Sequence, residues 1–520
     1  MTRGLLLLLG ALLAGTGCAA PDQGEVLVFG HGSDAVGLDP ALENDGESFK
    51  VCDNLYETLV SYEAESTALR PLLAHSWEVS GDQLTWTFHL RTGVRFHDGT
   101  PFDAEAMLFS LGRQYYPDHP QHRVAGAYKY WKDMDMDQVV ADMWAADDST
   151  FAVRLREPDA TFLSTLGMNF CAAVSPAAVR QYGPDYRRHP VGTGPFRFVE
   201  WRPDERLVLA RNEDYWGEPA HLRLLIFKPI QDPSIGFLEL QRGAIHGLDD
   251  LSPELVAGVE ADANLQLLTQ PGLTVGYLAM NLDRPPFDNR LVRLAVNCAI
   301  DKQALVDNFY HGLAIPAKNP IPPIMWGYND DVEPYPHDPE RARQLLREAG
   351  YPDGFETELW SMSVPRPYMP QPDRIAQAIQ ADLAVVGIRA RPVQWEWGTY
   401  LDKVSDGQHP MALLGWTGDN GDPHSFLYVL LDKTAAEKPA QNIAFYRSDA
   451  LHEVLVEARR QSDPAVRLRL YRQAQVIVHE DAPWVPLVHT EQTAAFRADV
   501  RGFRLHPAGI KWFQPVYFAR

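Results

Sequence analysis

The sequence predicts an α/β protein with more than one hydrophobic core. Its 520 residues exceed the roughly 250–300 residues beyond which a single core rarely grows. Segments typical of strands alternate with segments typical of helices along the chain, which is the pattern of α/β domains. The composition, 45% hydrophobic and 22% charged, is that of a soluble globular protein.

The first elements follow from hydrophobic periodicity. Residues 25–30 predict an opening strand. Apolar side chains then recur at helical spacing, at Phe49, Cys52, Tyr56 and Leu59. We therefore expect a helix here that presents one apolar stripe to a core.

Two half-buried strands and a helix follow. Residues 84–90 and 151–155 alternate between apolar and polar side chains, as strands with one buried face do. Between them, Asp103 predicts the N-cap of a helix that runs to about Tyr116. Residues 202–205, Arg-Pro-Asp-Glu, predict a hairpin turn.

The second half carries clear helix boundaries. Asp-Pro pairs at 338–339 and 463–464 each place a capping carboxylate before a proline at the first helical position. Gly350 and Gly387 lie where helices are expected to end. The alternation of strands and helices therefore continues through this half.

A polar loop between two apolar segments is the central candidate for a site. Residues 411–414 predict a buried strand that enters the loop, and residues 426–431 predict a short helix or buried segment that leaves it. Ligands in open α/β sheets bind at the carboxyl ends of strands. There Asp419 and the ring of Trp416 suit an ammonium group, although an Asx-turn beside a core tryptophan is the simpler alternative.

Charge and motifs exclude several function classes. The formal net charge of −22 leaves no basic excess to neutralise the phosphates of a nucleic acid. The sequence contains no Gly-x-Ser-x-Gly elbow, no His-Glu-x-x-His zinc helix and no phosphate loop with its lysine. No cysteine pair has metal-ligand spacing. We therefore expect no enzyme, no cofactor and no metal site.

The N-terminus predicts export. Arg3 precedes an apolar segment at 5–13 and small residues at 14–17, which together form a signal peptide over residues 1–17. Cys18 follows at once, an arrangement that resembles a bacterial lipobox with Cys18 as the lipidated residue. Gly15 departs from that pattern, where a larger apolar residue is usual. A plain secretory peptide is the alternative.

Export places the remaining cysteines in an oxidising compartment. Cys52, Cys171 and Cys298 are odd in number, so at least one stays a free thiol. Cys298 lies in an apolar helical segment and is expected to be inert and buried. Whether Cys52 and Cys171 pair is left open, because the sequence does not set their distance.

An ordered set of motifs resembles a known family. The set covers nearly the whole mature chain, and the loop reads Gly-Trp-Thr-Gly-Asp-Asn-Gly-Asp-Pro. On these residues the chain resembles the peptide-binding solute-binding proteins of ABC importers (extracellular solute-binding protein family 5), most closely their dipeptide-binding branch. The matching stretches are 69–79, 90–102, 190–196, 212–216, 363–368 and 415–423.

The resemblance implies a two-lobed periplasmic-binding-protein-like fold (type II, cluster C) that closes on its ligand. Mapped onto this chain, the first lobe takes residues 18–59, 190–272 and 488–520. An extra subdomain of that lobe spans 60–189, and the second lobe spans 273–487.

The resemblance also implies the ligand residues. In the dipeptide branch an arginine binds the peptide's carboxylate and an aspartate binds its ammonium, and Arg366 and Asp419 match these positions. Tyr368, Trp416 and Gly418 complete the expected site. A zwitterion that loses its water in a closed cleft needs opposite charges to offset that loss. An arginine between two prolines is otherwise typical of a solvated turn.

The expected role is therefore that of an extracytoplasmic lipoprotein that delivers short peptides, dipeptides above all, to the permease and ATPase subunits of an inner-membrane importer. We expect a monomer that is lipid-anchored at the periplasmic or extracellular face of a bacterial membrane. His424-Ser425 departs from the dipeptide pattern and opens metal or haem binding as an alternative. Other members take haem, glutathione or nickel chelates, and a hydrolase is the remaining contrast.

Overall fold

The computed structural model describes residues 25–122 and 128–519. The predicted signal peptide and Cys18 lie outside them. The described α-helices are Gly46–Leu55, Ala104–Tyr115, Lys129–Asp133, Met136–Val139, Phe162–Thr165, Pro176–Tyr182, Pro233–Gln241, Val256–Glu260, Arg290–Ala299, Lys302–Phe309, Pro339–Glu348, Pro372–Val385, Trp397–Ser405, His424–Leu431, Asp449–Arg460 and Pro464–Asp481. None of these helices has the length and apolar character needed to cross a bilayer.

The strands are numbered in chain order. They are β1 Val26–His31, β2 Val60–Tyr62, β3 Leu69–Pro71, β4 Ala74–Val79, β5 Thr85–Leu90, β6 Val140–Asp147, β7 Thr150–Leu155, β8 Phe196–Arg202, β9 Arg206–Arg211, β10 Leu224–Pro229, β11 Gly247–Asp249, β12 Leu265–Pro271, β13 Thr274–Met280, β14 Ala314–Pro316, β15 Phe355–Ser361, β16 Ile388–Gln394, β17 Met411–Thr417, β18 Trp484–Arg497, β19 Val500–Arg501 and β20 Tyr517–Phe518.

One mixed sheet runs through the molecule in the order β16-β15-β17-β13-β18-β11-β1-β10-β9-β8, and β12 and β14 also pair with β18. A separate antiparallel sheet has the order β4-β5-β7-β6. Because β15 is parallel to β16 and β17 while most other pairs are antiparallel, the sheet is mixed, as expected for this α/β class.

Two segments connect the two halves of the large sheet. β18 pairs with β13 through its first residues, 484–488, and with β12 through its last residues, 491–497. Only Gly272 and Leu273 separate β12 from β13. Two antiparallel crossings therefore link a lobe built around β13 and β17 to a lobe built around β1 and β10.

The buried side chains form four clusters, so the expectation of several cores is confirmed. One cluster lies within residues 273–488 and contains β13, β15 and β17. A second lies within residues 41–173 and contains the four-stranded sheet. The third combines β1, β8, β9 and β10 with the end of β18, and the fourth combines β11 and β12 with the same end. The chain therefore folds as two lobes, with a third packed unit beside the first.

Most sequence-predicted elements of the first half are confirmed. The opening strand is β1, the alternating segments are β5 and β7, and Asp103 caps the helix Ala104–Tyr115 through the amide of Ala106. Asp204 adopts φ +59° in the turn between β8 and β9. The first helix is shorter than its apolar pattern, because Tyr56 is extended and its hydroxyl donates to the carbonyl of Leu38 at 2.8 Å.

The helix boundaries of the second half are also confirmed. Asp338 and Asp463 cap the helices that begin at the following prolines. Gly350 and Gly387 follow the helix ends with φ of +90° and +92°, a conformation that glycine adopts without steric cost. The predicted loop is one place where the expectation was wrong, because β17 extends to Thr417 and therefore includes Trp416.

The three described cysteines are buried free thiols. The open question of a Cys52–Cys171 disulfide is therefore answered in the negative, and Cys298 is buried as predicted. Burial raises the pKa of all three thiols, most strongly for Cys52 and Cys171, which keeps them protonated and unreactive.

The second lobe touches the unit within residues 41–173 at the loop after β17. A methyl group placed on Gly421 would lie 2.0 Å from Cβ of Thr67. The amide of Asn420 lies 3.7 Å from the sulfur of Met168. Further along this interface, Arg459 forms an ion pair of 2.9 Å with the buried carboxylate of Asp159. The lobes are therefore in close contact in this structure.

We predict that Gly421→Ala prevents this approach of the lobes and increases the radius of gyration measured by solution X-ray scattering. The double variant Thr67→Gly/Gly421→Ala should restore the compact form, because it removes the atoms that the new methyl would strike. Gly81→Ala is the matched control, since a methyl there meets nothing within 4 Å. A single variant as compact as the wild type would contradict this contact.

Candidate functional site

A cavity of about 700 Å³ lies where the two lobes meet. Its size is within the range of small-molecule sites, roughly 300–1,000 Å³. The first helix and the residues that flank it form one wall, and residues 508–512 near the C-terminus extend it. The second lobe contributes Arg366, Pro367, Thr417 and Asp419. The cavity wall therefore combines groups of both lobes.

Local packing holds the loop that carries Asp419. The amide of Gly418 donates to the carbonyl of Leu273, between the crossing strands, at 2.7 Å. A methyl on Gly418 would lie 2.5 Å from the ring of Phe426, so the close approach requires glycine. Asp422 then accepts from the guanidinium of Arg467 at 2.7 Å. The loop is thereby attached to the crossing strands and to the helix Pro464–Asp481 of its own lobe.

Asp419 lacks a cationic partner among the described residues. Its carboxylate accepts a hydrogen bond of 3.2 Å from the hydroxyl of Tyr130, which belongs to the other side of the cavity. Burial raises the pKa of Asp419 to about 6, and the tyrosine hydroxyl opposes this rise. The Tyr130 hydroxyl therefore fixes the carboxylate in the cavity wall, where a positively charged ligand group could pair with it.

Arg366 is the complementary group. Its backbone forms a tight turn, with reciprocal hydrogen bonds of 3.1 and 2.8 Å to Met369. The guanidinium lies over the ring of Trp397, 5.0 Å from its centroid. No carboxylate in the described ranges forms an ion pair with it. Arg366 and Asp419 thus line one cavity with opposite and unpaired charges.

The other predicted residues lie behind the cavity surface. Tyr368 is 7% exposed, and its ring packs where a methyl on Gly415 would stand. Trp416 is half-buried, and its indole nitrogen is buried without a described hydrogen-bond partner. Neither these two nor Gly418 is among the described side chains that line the cavity. They lie close to Arg366 and Asp419 in the chain and do not themselves line the cavity.

Sequence reasoning missed an aromatic wall on the opposite side. Tyr130 packs edge-on against Phe49, with ring centroids 5.5 Å apart, and stacks at 6.0 Å on Phe170. Trp512 also lines the cavity, and Arg70 lies 5.7 Å from the centroid of its ring. These residues are far apart in the sequence, so no local spacing could have grouped them.

Two buried lysines beside the cavity were missed as well. Lys50 contacts the carboxylates of Glu47, Asp249 and Asp250 at 3.0, 2.8 and 3.0 Å. Lys511 lies 3.4 Å from Asp249. Both cations are therefore compensated within the protein, unlike Arg366.

His424 lies elsewhere. It begins the helix after the loop and stacks on Tyr428 with centroids 4.4 Å apart. Burial, with the nearby Arg459 and Arg467, holds its pKa well below the usual range. No histidine lines the described cavity, and the described residues contain no group of three or more metal-ligating side chains. The alternative that His424 binds metal or haem in this cavity therefore has no geometric support.

The sequence matches the bacterial extracellular solute-binding proteins, family 5, over residues 68–438. The chain belongs to this family.

Individual relatives agree over nearly the whole length. The solute-binding protein is 39% identical to the heme-binding protein A of Haemophilus influenzae, over 92% of this chain and 90% of that protein. It is 36% identical to the dipeptide-binding protein of Escherichia coli, over 98% of both.

Among solved structures, it is similar to an ABC transporter-associated periplasmic binding protein of Helicobacter pylori in complex with the peptide STSA. The TM-score is 0.84 and the sequence identity 38%, covering 95% of this chain and 98% of that chain. The two-lobed fold inferred from the sequence is thereby confirmed.

We predict that Tyr130→Phe raises the pKa of Asp419 in this solute-binding protein by roughly 1–2, because a hydrogen bond to a charged group contributes roughly 1.5–3 kcal/mol. Carbon-13 NMR titration of the aspartate carboxyls would measure it. Tyr116→Phe is the matched control, since it removes a 2.7 Å hydroxyl–carboxylate bond to Asp142 outside the cavity. An unchanged titration of Asp419 in Tyr130→Phe would contradict the described bond.

Proposed function

We propose that this solute-binding protein captures short peptides, dipeptides above all, by their two charged termini in the cavity between the lobes. The observation that carries the proposal is the pair of unpaired opposite charges, Arg366 and Asp419, in the wall of one cavity. A free peptide is a zwitterion, and its two ends match these charges.

The chemistry of each end favours the residue assigned to it. The planar guanidinium of Arg366 can donate two parallel hydrogen bonds to a terminal carboxylate. Asp419 accepts from an ammonium group, and Tyr130 holds its carboxylate in place. Ligand burial removes water from both termini, and these contacts compensate that loss. Space beyond the termini allows different side chains, with water filling the remainder.

The names of the relatives support a peptide. One relative is named as a dipeptide-binding protein, and one similar structure contains the peptide STSA. We further propose that the protein works outside the cytoplasm as a monomer, anchored through a lipid on Cys18, and passes its ligand to the permease and ATPase subunits of an ABC importer. It is proposed as a binder and not as an enzyme.

Haem is the second candidate, because a relative is named as a heme-binding protein. The described cavity offers no histidine as an iron ligand. The side chains in its lining that could bind haem iron are Met168 and several tyrosines. Haem bound to the purified protein would produce a strong visible absorption band, which distinguishes this candidate directly. Glutathione and nickel chelates have no observation here that favours them over a peptide.

We predict that Arg366→Ala and Asp419→Ala each weaken binding of the peptide Ser-Thr-Ser-Ala, and of the dipeptide Ser-Ala, by roughly thirty- to several-thousand-fold. Each substitution leaves one charged terminus of the bound peptide without its partner, which costs about 2–5 kcal/mol. Isothermal titration calorimetry would measure both. C-terminal amidation should weaken binding to the wild type but change little for Arg366→Ala. N-acetylation should behave in the same way with Asp419→Ala.

Two variants at exposed positions are the matched controls. Arg389→Ala removes a guanidinium that is 58% exposed, and Asp402→Ala removes an exposed carboxylate of the same lobe. Both should bind like the wild type. Equal binding of free and blocked peptides by the wild type would refute recognition of the termini. Haem or another ligand would then be the better candidate.

A further inference from the structure

A stripe of acidic side chains lines the wall opposite Arg366. Asp45, Phe49, Asp53 and Glu57 follow one another at intervals of four residues, and all four line the cavity. The helix Gly46–Leu55 carries the middle pair, and side chains four apart lie on one helix face. We call the three carboxylates, Asp45, Asp53 and Glu57, the acidic stripe.

Neutral groups alone supply the hydrogen bonds of this stripe. Asp53 accepts from the backbone amide of Lys511 and the side-chain amide of Asn169, both at 2.9 Å. Asp45 caps the helix through the amide of Ser48 with one oxygen. Its other oxygen, Oδ2, is buried and receives no hydrogen bond from the described residues.

Glu57 has the same character. It is 5% exposed, and its carboxylate accepts from a threonine hydroxyl, a tyrosine hydroxyl and an indole N–H. Burial raises the pKa of Asp53 and of Glu57 to about 6 each. Both carboxyls are therefore largely ionised at neutral pH.

Among the described residues, the nearby cations form no ion pair with the stripe. Lys50 and Lys511 oppose the rise in the pKa of Asp53, and Arg70 opposes that of Glu57. The ion pairs of the two lysines are with Glu47, Asp249 and Asp250. Arg366 is the remaining lining cation, and the proposed function assigns it to the ligand's carboxylate. A bound zwitterion with an uncharged side chain would therefore leave the wall strongly negative.

We propose that this cavity selects, among short peptides, those with a lysine or arginine side chain, which the acidic stripe holds. The inference rests on the proposed function and adds the class of peptide to it. Carboxylates bonded only by neutral groups in a closed site gain most from a ligand cation. Phe49, four residues from both Asp45 and Asp53, lines the same cavity and offers an aromatic ring for a cation–π contact with an ammonium or guanidinium.

The test compares dipeptides of similar size in both sequence orders: Ala-Lys and Lys-Ala, Ala-Gln and Gln-Ala, and Ala-Glu and Glu-Ala. By calorimetry, the better lysine peptide should bind roughly 10- to 100-fold more tightly than the better glutamine peptide, as expected for one charged hydrogen bond. The glutamate peptides should bind most weakly.

Variants assign the selectivity to the stripe. Asp45→Asn and Asp53→Asn should each lower the ratio of lysine to glutamine affinities, and asparagine at 45 keeps the helix cap. Glu63→Gln, at an exposed position outside the cavity, should leave the ratio unchanged.

Three outcomes would overturn the inference. If wild type binds lysine and glutamine peptides equally, with affinity still lost on blocking the termini, selectivity is absent although the proposed function stands. If the ratio survives in both variants, the stripe is not its source. If no dipeptide binds, the proposed function fails and this inference fails with it.

Discussion

The pairing of β18 with strands of both lobes is the constraint on which the rest of the structure depends. One half of this strand lies beside β13, and the other lies beside β12. The two lobes are therefore joined through one shared strand. The loop with Asp419 is attached to the same place, because Gly418 donates to the carbonyl of Leu273. The structure thus places a charged group of one lobe against the aromatic wall of the other.

Within the described part of the chain, charge compensation does not extend to Arg366 and Asp419. The protein neutralises some buried charges itself, as Lys50 does with three carboxylates. It leaves Arg366 and Asp419 without ionic partners among the described residues and places both in the cavity wall. Arg366 is exposed and Asp419 is half-buried. On the proposed function, a ligand that supplies both opposite charges binds the closed form better and so stabilises it.

Local sequence patterns predicted the fold elements well because local forces determine them. Alternation located β5 and β7, and capping aspartates located the helices at Pro339 and Pro464. The residues of the cavity wall could not be predicted in this way. Tyr130, Phe170 and Trp512 meet only through tertiary packing, and no periodicity connects them. Tyr368 and Trp416 were placed at the cavity by resemblance, whereas the structure packs them behind Arg366 and Asp419.

A crystal structure of the protein with Ser-Thr-Ser-Ala or a dipeptide would show whether Arg366 and Asp419 bind the two termini. We expect the peptide's terminal carboxylate within hydrogen-bonding distance of the Arg366 guanidinium, and its ammonium group in contact with Asp419. We also expect closed lobes, with Tyr130 still donating to Asp419. A peptide bound in the cavity with its termini away from both residues would contradict this binding mode.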